Sequence, residues 1–522
     1  MAREYISFVK LTTYPFTVYY YLRMRRLNLF VSIINNPTLR KSTKDASRIL
    51  KRFNQSRKER KMRQKAMRWS GVLFQVLAFY LLGNQIYAAD KIDIAAVGSS
   101  KWVEEKIETY PELTWLLSED VEHTQEGTSS QQEGSWSRKL KGSHYPEFER
   151  TMATLVNLYL ILDGSEEAFI RFVESQPKED VLTRDNFNKL HTYALKVISD
   201  QQEGVKAVEV DLILGDMGKT PKARELAKAF SIEEKDHDIF LSECLKKCPQ
   251  IFPTFQKISK AMQADLRESG GLVHFGHVTH LEGGPEILNK LKGSGLVANN
   301  PKAFDLQVLT YMMDVSGARA HESNLGSKSF TNKTFLAING MKDALHKLAE
   351  GSQEEALTSY VDFRVGLLGL DPQKKEDRVL GRMGAMMRLF TPEEGQALTT
   401  AYHFLGKEQK KVVEQEFDPL KTREERTPTY IPAVFVNFID LAMKQGVTKE
   451  EAIQSCLKEG VVPMASFLQK YREGKANQSY TPQMTLNFNK SAGQVRNNIK
   501  VFANHDFFID KDWNVTLNEL PK

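Results

Sequence analysis

The stretch FERTMATLVNLYLIL, Phe148–Leu162, decides how the rest of the chain is read. Its apolar residues recur at spacings of three and four, the period of one helix face, with no strand-like alternation. The same spacing returns in NFNKLHTYALKVIS (186–199), DIFLSECLKKC (238–248), FDLQVLTYMMDVSGA (304–318) and TFLAINGMKDALHKLAE (334–350). Gly351–Phe390 and Thr427–Tyr471 continue it. They are punctuated at Asp371-Pro372, Thr391-Pro392 and Thr427-Pro428, because the residue before a proline avoids the α region. The prediction is an all-α body, continuous rather than beaded, ending in an extended or irregular tail over Gln478–Leu520. The run HTQEGTSSQQEGSWSRKLKGSH (123–144) reads as a flexible polar linker. The expected segments are therefore a pre-domain stretch and linker over 90–144, a helical site domain over 145–350, and a C-terminal helical extension and tail over 351–522.

At 522 residues, with 41% hydrophobic and 26% charged residues, the chain has the composition of a globular protein with a sizeable core. Cys244, Cys248 and Cys456 give no disulfide framework and read as ordinary buried thiols. The net charge of +6 conceals an asymmetry: residues 1–68 hold 18 Lys/Arg against 3 Asp/Glu, so the remainder is acidic. That balance excludes a broad nucleic-acid-binding surface. From Met62 the chain reads MRQKAMRWSGVLFQVLAFYLLGNQIYAAD, the basic start, apolar middle and small-residue end of a secretory signal peptide. Cleavage is expected after Ala88 or Ala89, with translation starting at Met62 or Met67 and 1–61 an over-extended N-terminus. A periplasmic or secreted location follows. The alternative keeps 69–89 as a membrane anchor, barely long enough to span, and 69–89 is in either case the route to transient membrane contact.

The chemistry-bearing residues cluster. GLVHFGHVTHLEGGP (271–285) carries His274, His277 and His280 at every third position, followed by Glu282. Upstream, VDLILGDMGKTPKARELAKAF (210–230) delivers Asp216, Gly218 and Lys219 from an apolar run, and Asp236, His237 and Asp238 follow. Downstream, Asp314 ends an apolar helix, with Arg319 and His321 beyond it. Each piece has a plain structural reading: Asp216-Met217-Gly218 as a helix stop, Asp236 as the N-cap of a helix bearing His237 in its first turn, Asp314 as an exposed helix end. Four such groups beside four apolar helices point instead to one shared site, and a bundle that gathers His and Asp inward is a known way to hold divalent metals. G-x-x-x-x-G-K-[ST], G-x-S-x-G and H-E-x-x-H are absent, so those chemistries lack their marks.

The order His191, Asp216-x-Gly218-Lys219, His237, His277/His280 and Asp314 resembles the HD-domain metal-dependent phosphohydrolases, and among them the HD-GYP-like phosphodiesterases. The resemblance covers about residues 150–330. It implies an HD-domain-like helical bundle with additional C-terminal helices. It also implies a divalent metal (Mn, Fe or Mg) held by His191, Asp216, His237, His277, His280 and Asp314. Lys219 and Arg319 would neutralise the phosphate, and His321 or His280 would protonate the leaving oxygen. The implied activity is hydrolysis of a phosphate ester, a small molecule or nucleotide, by metal-activated water. One departure stands out: Gly215 occupies the place of the family's histidine before Asp216. It supports one alternative, a catalytically degenerate binding module of the same bundle; the other alternative is a secreted host-interaction protein whose histidines are incidental.

Overall fold

The computed structural model describes residues 92–121, 134–198, 201–234, 236–498 and 500–519. The readings made for 1–61 and 62–89 fall outside these residues. Within them no helix is long and apolar enough to cross a membrane. The described residues lie in one unit, Ile92–Lys522, with no division at the boundary expected near 350.

The fold is predominantly helical, as expected. Its axis is the helix Pro146–Asp163, which starts with proline at its first turn and stops at Gly164, φ +66°. Phe148, Met152, Leu155, Leu158 and Ile161 are fully buried along it. Each such side chain contributes about 1.5–3 kcal/mol of burial. Pro301–Gly317 packs along this helix, and Gln201–Gly215 lies against both. The approach is close because Gly317 has no side chain: a Cβ there would sit 2.5 Å from the carbonyl oxygen of Arg150. These three helices carry Glu147, Asp216 and Asp314 at neighbouring ends.

The C-terminal half builds its own cluster from Leu380, Met383, Phe435, Ile453, Leu457 and Phe488. Between Lys449–Ser455 and Val462–Arg472 the chain makes a π-helical segment, Cys456–Val461. Pro463 has no N–H to continue the α ladder, and a wider turn is one way to absorb that loss.

Two sequence expectations need correction. The linker read over 123–144 is structured from Gly134 onward. Trp136–Lys141 is a helix N-capped by Ser135 and ended at Gly142, and Trp136 donates its indole N–H to the Gly98 carbonyl at 2.7 Å. The tail read as extended or irregular is ordered: it forms the helix Asn489–Asn497, and its extended part is an antiparallel hairpin, His505–Ile509 with Val515–Glu519. Buried Phe488, Val495, Val515 and Leu517 hold it down. The Asp510 carboxylate closes its turn by accepting from the backbone N–H groups of Asp512 and Asn514, both at 2.9 Å.

Candidate active-site cleft

Asp216 ends the apolar run of Gln201–Gly215 and opens a short 3-10 turn, Met217–Lys219. That turn swings Lys219 back, so its ammonium donates to Asp216 Oδ1 at 2.7 Å and to Glu147 Oε2 at 2.8 Å. Thr151 donates to the other Asp216 oxygen at 2.8 Å. Arg150 reaches Glu147 from the far side and donates through Nε to His321 Nδ1 at 3.1 Å. Burial pushes the Asp216 carboxyl up, but the Lys219 ammonium and the Thr151 hydroxyl outweigh it and hold the carboxyl below its ordinary range. Burial works against the Lys219 charge, yet Asp216 and Glu147 raise it above the usual lysine value. Gly218 makes room for His237: a Cβ there would meet the His237 carbonyl oxygen at 2.6 Å and its Cα at 2.9 Å. Asp236 does N-cap the helix His237–Lys247, as its position suggested.

Asp314 lies one helical turn before Gly317, facing this cluster. Its side chain is exposed to solvent and at the same time densely surrounded by protein, the signature of a cleft wall. Burial, then the negative charge of Asp216, push its carboxyl up to about 7, with Asp238 and Glu147 adding to the effect and Lys219 opposing it.

The histidine run supplies the opposite wall. His274 N-caps the short helix Phe275–Thr279, accepting from the His277 N–H at 3.2 Å. Its ring meets that of His277 edge-on with centroids 4.2 Å apart, and Gly276 leaves space for the fold-back. His277 Nδ1 sits 2.8 Å from Glu282 Oε2, a close contact not aligned as a hydrogen bond. Glu282 is only 8% exposed, and its Oε1 has no hydrogen-bond partner among the described residues. Burial lowers His274, reinforced by His277, with Asp238 and Glu282 opposing. Burial, then Arg388 and Arg364, drive His280 well below the ordinary imidazole range.

Two buried arginines hold this loop through its backbone. Arg364 donates to the Thr279 carbonyl at 3.2 Å and to the Leu389 carbonyl at 3.0 Å, and Tyr360 adds a hydroxyl to Thr279 at 2.7 Å. Arg382 donates to the carbonyls of Leu281 at 2.7 Å and Glu282 at 2.5 Å, fixing Leu281 in the left-handed region at φ +53°.

Asp216, His237, Asp314 and the histidine run are thus neighbours around one candidate cleft: Gly218 packs on the His237 backbone, Tyr311, one turn before Asp314, donates to Thr279 Oγ1 at 3.5 Å, and the Asp238 charge acts on both Asp314 and His274. Three expectations need correction. His191 is elsewhere: it hydrogen-bonds through Nδ1 to the Ile161 carbonyl at 2.7 Å, against Gly164, about 21 Å along the central helix from Glu147. Arg319 spends its guanidinium on Glu322, with two contacts of 2.8 Å at the rim. Lys219 is committed to two carboxylates rather than open to a phosphate. Asp216 is committed to Lys219 and Thr151, His277 faces Glu282, and among the described residues no three His, Cys, Asp or Glu side chains gather closely enough to share an ion. The ammonium of Lys219 already supplies the positive charge between Asp216 and Glu147. Sequence reasoning missed Glu147, Arg364, Arg382 and Arg388.

Residues 107–486 match a family of unknown function, DUF6829. The chain belongs to the DUF6829 family. Every residue of the cleft lies inside the matched span, so the cleft belongs to the part this DUF6829 protein shares with its family. No curated protein and no solved structure matches the chain.

Proposed function

We propose that the cleft is the active site of a phosphate-ester hydrolase, with Asp314 as general acid. The observation that carries this reading is the Asp314 carboxyl itself, open to solvent and lifted to about 7 by burial and by Asp216. A carboxylic acid near neutrality is matched to proton transfer at physiological pH. The order of residues that resembles HD-domain phosphohydrolases supports the choice of a phosphate ester. In the step we infer, water adds to phosphorus and the P–O ester bond breaks. Protonated Asp314 gives its proton to the leaving oxygen, and a proton released from the attacking water restores the acid. Lys219 holds Asp216 ionised, and that charge adds to burial in keeping Asp314 protonated.

The test is hydrolysis of p-nitrophenyl phosphate and bis-p-nitrophenyl phosphate by the full chain and by Asp314→Asn. Wild-type kcat should fall above about pH 7 as the acid ionises, and the variant should lose roughly 10²-fold or more of kcat. Turnover by Asp314→Asn at the wild-type rate would sink the reading. A second reading, a binding module that holds a phosphate ester without turnover, is favoured by one observation, the commitment of Lys219 to Asp216 and Glu147. Ester binding with no hydrolysis at any pH would select it.

A further inference from the structure

Arg388 is the residue of the cleft that neither the sequence motifs nor the acid–base reading uses. It follows the helix Lys375–Met386, where the Leu389 N–H bonds back to the Gly384 carbonyl at 2.8 Å, closing a helix-end turn. Such a turn puts its penultimate residue in the left-handed region and usually fills it with glycine. Here the position is an arginine at φ +56°. A bulky residue kept in a conformation it disfavours is a pointer to a function for its side chain.

The place of Arg388 in the fold is set by the hydrogen bonds of its neighbours. Arg364 joins the carbonyl of Leu389, next to Arg388, to the carbonyl of Thr279, next to His280. Arg388 therefore stands on the histidine wall, with Tyr311, Asp440, Arg319 and Glu282 as its charged or titratable neighbours. Its guanidinium is exposed within dense surroundings, and no described side chain or carbonyl pairs with it. The other arginines and the lysine near the cleft, Arg150, Arg364, Arg382, Arg319 and Lys219, are each held by partners. An unpaired guanidinium is a planar fork of donors that matches the oxygens of a phosphoryl group.

We propose that Arg388 is the phosphoryl-binding residue of the cleft, the part that the family resemblance implied for Lys219. This rests on the reading of the cleft as a phosphate-ester site and names the group that would hold the ester across from Asp314. The test is calorimetric titration of the full chain, wild type, Arg388→Gly and Arg388→Ala, with inorganic phosphate, beside the kinetics of p-nitrophenyl phosphate hydrolysis. Arg388→Gly is the decisive variant, because glycine adopts the left-handed conformation without strain and the fold should be kept, as a thermal melt at or above the wild-type temperature will show. The expected result is phosphate binding by the wild type that weakens about tenfold or more in both variants, with KM rising alongside. Binding by Arg388→Gly equal to wild type, or no phosphate binding by the wild type, overturns the assignment. Phosphate binding lost in Arg388→Gly while the wild type hydrolyses no ester sustains Arg388 and removes the hydrolase reading. Hydrolysis with an unchanged KM in Arg388→Gly does the reverse.

Discussion

Two carboxylates of the cleft are displaced in opposite directions, and folding stability must feel both. Asp314 holds its proton in the folded chain up to about pH 7, against an ordinary value of 3.8. Between those values the folded state binds more protons than the unfolded one, so its contribution is intact below about pH 4 and is lost as pH rises through 7. Asp216 is held low by Lys219, so its contribution is present above the ordinary aspartate value and is lost on acidification. Replacing Asp314 by Asn removes the first effect alone. Its thermal midpoint relative to wild type should therefore rise from pH 4 to pH 8, in a series of melts across that range. A relative midpoint that does not change with pH would show that Asp314 ionises at its ordinary value in the folded protein.

The elements depend on small residues where backbones meet. Gly218 lets the His237 backbone lie against the Met217–Lys219 turn, and the carbonyl oxygen 2.6 Å from a hypothetical Cβ leaves no slack. Gly218→Ala should cost about 1–3 kcal/mol in urea unfolding, the usual range for overpacking, and should weaken activity by displacing His237. A wild-type unfolding midpoint would mean the turn can shift freely. The sequence made some of this legible. Phe148–Leu162 and Phe304–Ala318 showed their apolar period plainly, and Asp216 and Asp314 stood out as charges at the ends of apolar runs. His191 misled because an imidazole looks the same in sequence whether it lines a cleft or satisfies the Ile161 carbonyl. Arg388 was invisible, since its position depends on Arg364 joining two carbonyls far apart in the chain. The extended character of the C-terminal tail was legible in the alternation of Val515–Asn518, but its pairing as a hairpin was not, since that rests on packing with Phe488.

At the scale of the molecule, residues 145–350 and 351–522 cannot be separated. The histidine loop of the first stretch hangs on Tyr360, Arg364 and Arg382 of the second. The chain from Ile92 onward should unfold in one cooperative calorimetric transition, and a fragment ending at Glu350 should lack one. Two separated transitions would show that the halves fold alone. The link itself has an evolutionary consequence. Arg364 and Arg382 grip backbone carbonyls, and a carbonyl is present whichever amino acid occupies the position. Thr279, Leu281 and Leu389 are therefore free to drift to other residues of fitting size, while the two arginines are not. In a family of such proteins the supports of the cleft should vary less than the residues they support.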